Sequence, residues 1–279
     1  FLLTSVDVGN YHFYGPCYTV IIDRQGRVVW YRSTSDSRLT MFPRVSLDQS
    51  HIIIDATTYY TFGGEDPSIT RITLDYEQED VTTISRMGLT FDELPDGTFV
   101  YDYNRDGTRY EIHALSPDGT DEELWSCYDW MSGFRNVGYW DCAANTVLWN
   151  ASTNTILYSM FQTDTVVEVD WDSGEVIRQF GQLEGAYSVD PASSNLELQH
   201  FPNYTPDGTL IVSTHVPNQS YQQRAREFVV NDETRTLEEI WTYAGGGFYA
   251  EYAGEAKRLE SGHTLQGFGT DGALSLIHI

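Results

Sequence analysis

Three observations predict an all-β chain: glycine turns set between β-forming runs, a repeat close to 50 residues, and no apolar 3.6-residue period sustained over three turns. The turns come first. "DRQGRVVWY" (23–31), "LPDGTFVYDY" (94–103), "SPDGTDEELW" (116–125), "DWDSGEVIRQF" (170–180) and "TPDGTLIVST" (205–214) each carry one. Glycine reaches positive φ without steric cost, and the Val, Ile, Tyr, Thr and Trp on the flanks suit strands. "YAEYAGEAKRLESG" (249–262) comes nearest to a helix and reads as a loop feeding a strand.

The repeat has two interleaved classes. "SLDQSHIII", "LPDGTFVYD", "STNTILYSM", "TPDGTLIVS" and "LESGHTLQG" are turns followed by a strand, starting 48, 58, 53 and 54 residues apart. "GRVVWY", "EELWS", "GEVIRQF" and "LEEIWTY" are strands that end on or near an aromatic. About four strands in each period near 50 define a β-propeller of four-stranded blades. Five units are visible, and a sixth fits if the C-terminus is cut short. Residues 1–273 therefore form a single propeller domain. Its site residues are expected at one end of the channel, about one per repeat.

Composition narrows the partners. The net charge is −25 and Lys257 is the only lysine, so nucleic acid and anionic membrane surfaces are repelled. No apolar run reaches the ~18 residues of a membrane-spanning helix. Cys17, Cys127 and Cys142 lack C-x-x-C spacing, which argues against a zinc or redox site. Small buried thiols are the expectation for all three, with a Cys127–Cys142 disulfide as the alternative.

Both ends look incomplete. The chain starts at Phe1, and "LSLIHI" (274–279) is what a common library-preparation adapter encodes when read as protein. Residues 274–279, His278 among them, are set aside as read-through. An incomplete last blade would leave an open sheet edge, prone to pairing with other chains.

Recognised motifs are few. "DYNRDG" (102–107) begins like a calcium loop, but position 12 is His113 rather than Glu and the flanks are strands, so it reads as a polar hairpin turn. The histidine of "HFYGPC", His51, His113, His215 and His263 stand apart, without metal-ligand spacing. Neither a G-x-S-x-G elbow nor a phosphate-binding loop is present, and no metal or cofactor is expected.

Read in order, "VIIDRQGRVVWY", "FDELPDGTFVY", "NTVLWNASTNTILYSMFQTDTVVEVDWDSGEVIRQFG", "LQHFPNYTPDGTLIV", "RAREFVVNDETRTLEEIWTY" and "GEAKRLESGHTLQGFGTDG" resemble the arylsulfate sulfotransferase-like propeller family over about residues 15 to 273. The resemblance implies a six-bladed, exported protein. It also implies transfer of a sulfuryl group between phenols through a transiently sulfated histidine, with an aryl sulfate or phenol as small-molecule partner. Quinone-cofactor dehydrogenase propellers share the blade repeat, but their tryptophan-docking repeat is missing here.

The family's nucleophile follows a glutamine, which matches Gln199-His200. The asparagine of its H-x-N motif matches Asn145, and a recurrent arginine near the channel mouth matches Arg224. The resemblance thus makes His200 the nucleophile, Asn145 a donor to the sulfuryl oxygens, and Arg224 or Arg44 the electrostatic clamp. Three other family positions fall on Leu89, Ala143 and Phe161, whose side chains donate nothing. Sulfuryl transfer develops charge on the equatorial oxygens, and losing one donor there typically costs ~10²–10³ in rate. The alternative is an inactive ligand- or protein-binding propeller of the same lineage, with His200 a strand-end residue.

Overall fold

The computed structural model describes residues 1–7, 16–34, 38–57, 66–216 and 219–277. His12 of "HFYGPC" and His278 lie outside them. The described residues form six sheets, the blades of a β-propeller, in two compact units.

Apart from a few residues of the third sheet, the first unit (Phe1–Asp106 with Glu111–Glu123) holds three sheets. These are Leu2–Asp7, Cys17–Ile22 and Val28–Thr34; then Arg44–Val45, Ile52–Ala56, Ser68–Ile72 and Glu79–Thr83; then Met87–Glu93, Phe99–Asn104, Tyr110–Leu115 and Asp121–Ser126. The second unit (Gly107–Tyr110 with Leu124–Ile279) holds the other three. Its fourth sheet is Ala144–Asn150, Thr155–Met160, Thr165–Asp170 and Val176–Gly181. The fifth is His200–Tyr204, Leu210–Val216, Gln219–Asn231 and Thr236–Tyr243, with Ser188–Asp190 added parallel to the last strand. The sixth is Glu255–Arg258, Thr264–Phe268 and Ala273–Ile277. Residues 274–277, set aside above, pair there with Thr264–Gly267.

The two sequence classes occupy distinct places. The turn-and-strand class supplies the second strand of the last five sheets, and these strands are mostly buried. The aromatic-ended class supplies the third or fourth strand, whose outward residues are exposed. At the P-D-G turns Gly97 and Gly208 take φ of +88° and +80°, where other residues would be strained. Strand alternation then sorts the faces. Leu210 and Val212 pack with Leu157 and Val166 of the fourth sheet, while Ile211 packs with Ala256 of the sixth.

The second strands also carry a recurring polar residue. In the second sheet Asp55 accepts from the backbone N–H groups of Met41 and Phe42, at 2.9 and 2.8 Å. In the third, Asp102 accepts from Leu89 and Thr90, at 3.1 and 2.7 Å. A Cβ on Gly88 would lie 1.9 Å from the Asp102 carboxylate, so only glycine fits there. The equivalent positions in the fourth and fifth sheets are Ser159 and Ser213, each accepting from a glutamine, Gln199 and Gln266.

Arginines staple neighbouring sheets within each unit. Arg32 pairs with Glu79, Arg71 with Glu93, Arg178 with Asp232, and Arg258 with Glu227. Among the described residues no helix is long and apolar enough to cross a membrane.

One helix escapes the sequence reading. Cys127–Ser132 is α-helical, capped by the Ser126 hydroxyl, which accepts from the Asp129 N–H at 3.2 Å. Six residues are too short to display a helical period. The helix brings Cys127 to Cys142, and the two form a disulfide rather than the expected pair of thiols. Cys17 is buried and outside any disulfide.

Closing a loop of this size is worth about 3 kcal/mol. Cys127→Ser with Cys142→Ser should therefore lower unfolding stability by about that amount in urea. Reductant should mimic the effect in the parent protein and leave the double variant unchanged. Burial pushes the Asp102 carboxyl up to about 7, against its two backbone hydrogen bonds. A raised carboxyl pKa contributes stability that is full below its ordinary value of 3.8 and is lost as pH rises through about 7. Asp102→Asn should flatten the fall of melting temperature with pH across that window.

Candidate functional site

His200 opens the first strand of the fifth sheet, opposite Ser213. A bulge follows before Asn203 pairs with Ile211. Backbone strain brackets the histidine: Leu198 has φ of +43° and Phe201 of +54°. Bulky residues hold such angles only when their surroundings over-determine them.

The fourth sheet and its loops supply those surroundings. The Asp164 carboxylate accepts from Leu198 N–H at 2.6 Å, and the Thr146 hydroxyl accepts from Phe201 N–H at 3.0 Å. The Asn145 amide donates to the Gln199 carbonyl at 2.6 Å. Gln199 is fully buried, and its Nε2 reaches Ser159 Oγ, Met160 O and Thr165 O at 3.0–3.2 Å. Every residue in this clamp belongs to the second unit.

His200 itself is half-buried, with Nδ1 at 2.9 Å from the Leu198 carbonyl. A carbonyl only accepts, so Nδ1 carries the hydrogen and Nε2 keeps its lone pair. Burial lowers the ring's pKa to about 4, with a further small contribution from His215, so the imidazole is neutral at ordinary pH. Its chemistry is that of a fixed, unprotonated nitrogen nucleophile or base.

The other expected site residues are placed differently. Asn145 spends an amide hydrogen on the backbone beside His200, which makes it a positioning residue. Arg44 belongs to the first unit, where it pairs with Asp92 and lies 4.7 Å over the Phe91 ring. That pairing ties up the charge expected to clamp a substrate. Arg224 pairs in register with Thr214 on the face turned to the fourth sheet, and its buried Nε has no partner among the described residues. Thr214 in turn bonds Glu197, three residues before His200. Leu89 and Ala143 are buried, and Phe161 is half-buried.

A cavity of about 260 Å³ adjoins the clamp. Asp164 lines it together with Arg135, Asp141, Gln162 and Gln182. Arg135 donates to Asp141 at 2.9 Å, and Gln182 donates to Asp164 at 3.2 Å. Sequence reading misses Thr146, Asp164 and the reach of Gln199, because these contacts span 34 to 55 residues.

Elsewhere, Glu111, His113 and Glu123 bring ligand atoms within 4.8 Å of one another. Arg105 already lies 3.0 Å from Glu111 and 3.7 Å from Glu123, so a metal ion would have to displace it. His113 also stacks on Tyr103 at 4.3 Å, as a structural histidine does.

The chain is thus a six-bladed β-propeller with a clamped, neutral histidine at the edge of its fifth sheet. No protein-family model and no curated protein matches it. Among solved structures it is similar to a protein of unknown function from Bacteroides caccae, with TM-score 0.60 and 13% identity over 95% of this chain and 81% of that one. It is also similar to the periplasmic gluconolactonase PpgL of Pseudomonas aeruginosa, at 0.54 and 10% over 97% and 79%. The β-propeller domain of Cps50 (Swd1) from Myceliophteria thermophila follows at 0.53 and 9% over 96% and 80%. Identities this low speak for the fold alone.

Replacing Asn145 by Leu leaves the Gln199 carbonyl without its buried donor. The expected cost is about 1–3 kcal/mol in urea unfolding. The His200 ring signals should broaden in NMR spectra as the strained segment relaxes.

Proposed function

We propose that this propeller transfers a sulfuryl group between phenolic compounds, with His200 Nε2 as the nucleophile. One observation carries the reading. Burial keeps His200 neutral, and the Leu198 carbonyl fixes the ring hydrogen on Nδ1, which leaves Nε2 unprotonated and free of hydrogen-bond partners among the described residues. In the first step Nε2 forms a bond to the sulfur of an aryl sulfate while the S–O(aryl) bond breaks. The phenolate leaves and takes a proton from solvent. In the second step an acceptor phenol's oxygen attacks the sulfur, the N–S bond breaks, and neutral His200 returns once the phenol proton departs. The buried disulfide suits an oxidising compartment, which supports an exported protein.

A second reading is a propeller that binds a ligand without chemistry. The cavity beside the clamp favours it: the lining offers two carboxylates against one paired arginine, a poor match for a sulfate ester.

Intact mass after mixing with 4-nitrophenyl sulfate separates the two readings. Sulfuryl transfer predicts a gain of one sulfuryl group that is absent in His200→Ala, and kcat/KM falling on the acid side near pH 4. A folded protein that gains no mass and releases no phenol is the ligand-binding propeller.

A further inference from the structure

The face of the fifth sheet turned to the sixth carries polar groups that the clamp does not use. His215 is 1% exposed and stands two residues from Ser213, the partner of His200. The Ala250 backbone acts on its ring against the downward pull of burial. Ala250 N–H already donates to Tyr221 O, so it is the Ala250 carbonyl that faces the ring. Nε2 of His215 therefore keeps its lone pair, and it is buried without a partner.

Two amides stand beside it in the same state. Gln223 lies opposite His215 in register and donates through Nε2 to the Ala253 carbonyl. Gln266 donates through Nε2 to Ser213 Oγ at 3.0 Å and to the Gly267 carbonyl at 2.7 Å. The carbonyl partners fix which end of each amide is nitrogen. Both Oε1 atoms are buried and unpaired. Three unmet buried acceptors on one face each carry a desolvation penalty, and together they call for a hydroxyl donor.

Aromatic rings frame the same place. Tyr221 packs edge-on against His215, at 6.2 Å between ring centres. Gln222 bridges to Tyr249, and Tyr252 follows two residues after Ala250. The three tyrosines are 45%, 61% and 46% exposed. Exposed rings at Tyr221, beside His215, and at Tyr252, beside Tyr221, fit a ligand that is itself a flat ring with one O–H.

We propose that His215, Gln223 and Gln266, beside Tyr221 and Tyr252, form the acceptor-phenol site, and that His215 Nε2 takes the proton of the incoming hydroxyl. The role rests on the sulfuryl-transfer reading of His200. As the phenol oxygen bonds to sulfur and the His200 N–S bond breaks, the phenol proton passes to His215, which then releases it to water.

Two experiments on the full chain decide it. In His200→Ala, where no transfer can occur, phenol is titrated and the histidine ring signals are followed by NMR. Saturable movement of the His215 signals supports the site. Signals that stay still at millimolar phenol overturn it and leave a water-only site. Second, the parent protein and His215→Gln, its folding checked by thermal unfolding, are mixed with 4-nitrophenyl sulfate and phenol. The expected variant keeps a stoichiometric burst of 4-nitrophenol but transfers to phenol ~10²–10⁴-fold more slowly. A nitrated phenol that is already ionised should restore transfer, since no proton need be taken. Unchanged transfer, or a loss that the ionised acceptor does not relieve, overturns the role. Absence of any burst in the parent protein removes the sulfuryl reading and the base role with it, while the titration still decides whether a phenol binds at His215.

Discussion

The buried amide of Gln199 is the contact on which the rest of the site depends. Its Nε2 reaches Ser159, Met160 and Thr165 of the fourth sheet from just before the first strand of the fifth. That anchor lets Leu198 and Phe201 sit at positive φ on either side of His200. Asn145, Thr146 and Asp164 satisfy the backbone groups that the bent segment would otherwise leave unpaired. The histidine's tautomer follows, because the same bend turns the Leu198 carbonyl onto its own ring. Strain of ~1–3 kcal/mol per residue is thus held by buried polar contacts, and it buys a fixed lone pair.

Electrostatics sets the second constraint. In a chain of net charge −25 with one lysine, positive charge is scarce. Much of it is already paired: Arg32, Arg44, Arg71, Arg178, Arg226 and Arg258 each meet a carboxylate. The second unit therefore leans on neutral groups near His200, such as imidazole, amide and hydroxyl. Neutral acceptors suit a hydroxyl better than an anion, and for that reason the proposed phenol site is the His215 face and not the cavity beside Asp164.

The blade pattern was legible because it is local. A P-D-G turn and the apolar strand after it share one stretch of chain, and the repeat returns them at near-constant spacing. His200 was legible in part, since Gln199-His200 forms a contiguous pair. Asn145 was legible as a polar residue of interest, but its partner, the Gln199 carbonyl, lies 54 residues away. The Cys127–Cys142 bridge was legible only as the alternative to free thiols, because the helix that brings the two together is too short to register as a period. Arg44 misled because a sequence shows a charge and not the carboxylate already beside it.

Sequence by itself determined the all-β class, the strand repeat, the acidic surface and the presence of a histidine at a strand start. Each of these depends on neighbours along the chain, where backbone propensity and alternation act. Tertiary structure alone decided which polar groups are paired and which are left open. It bent the chain at Leu198 and Phe201, tied Arg44 to Asp92, and left Nε2 of His215 buried and unmet. Those outcomes depend on groups brought together from distant blades, whose burial and hydrogen bonding no local pattern encodes.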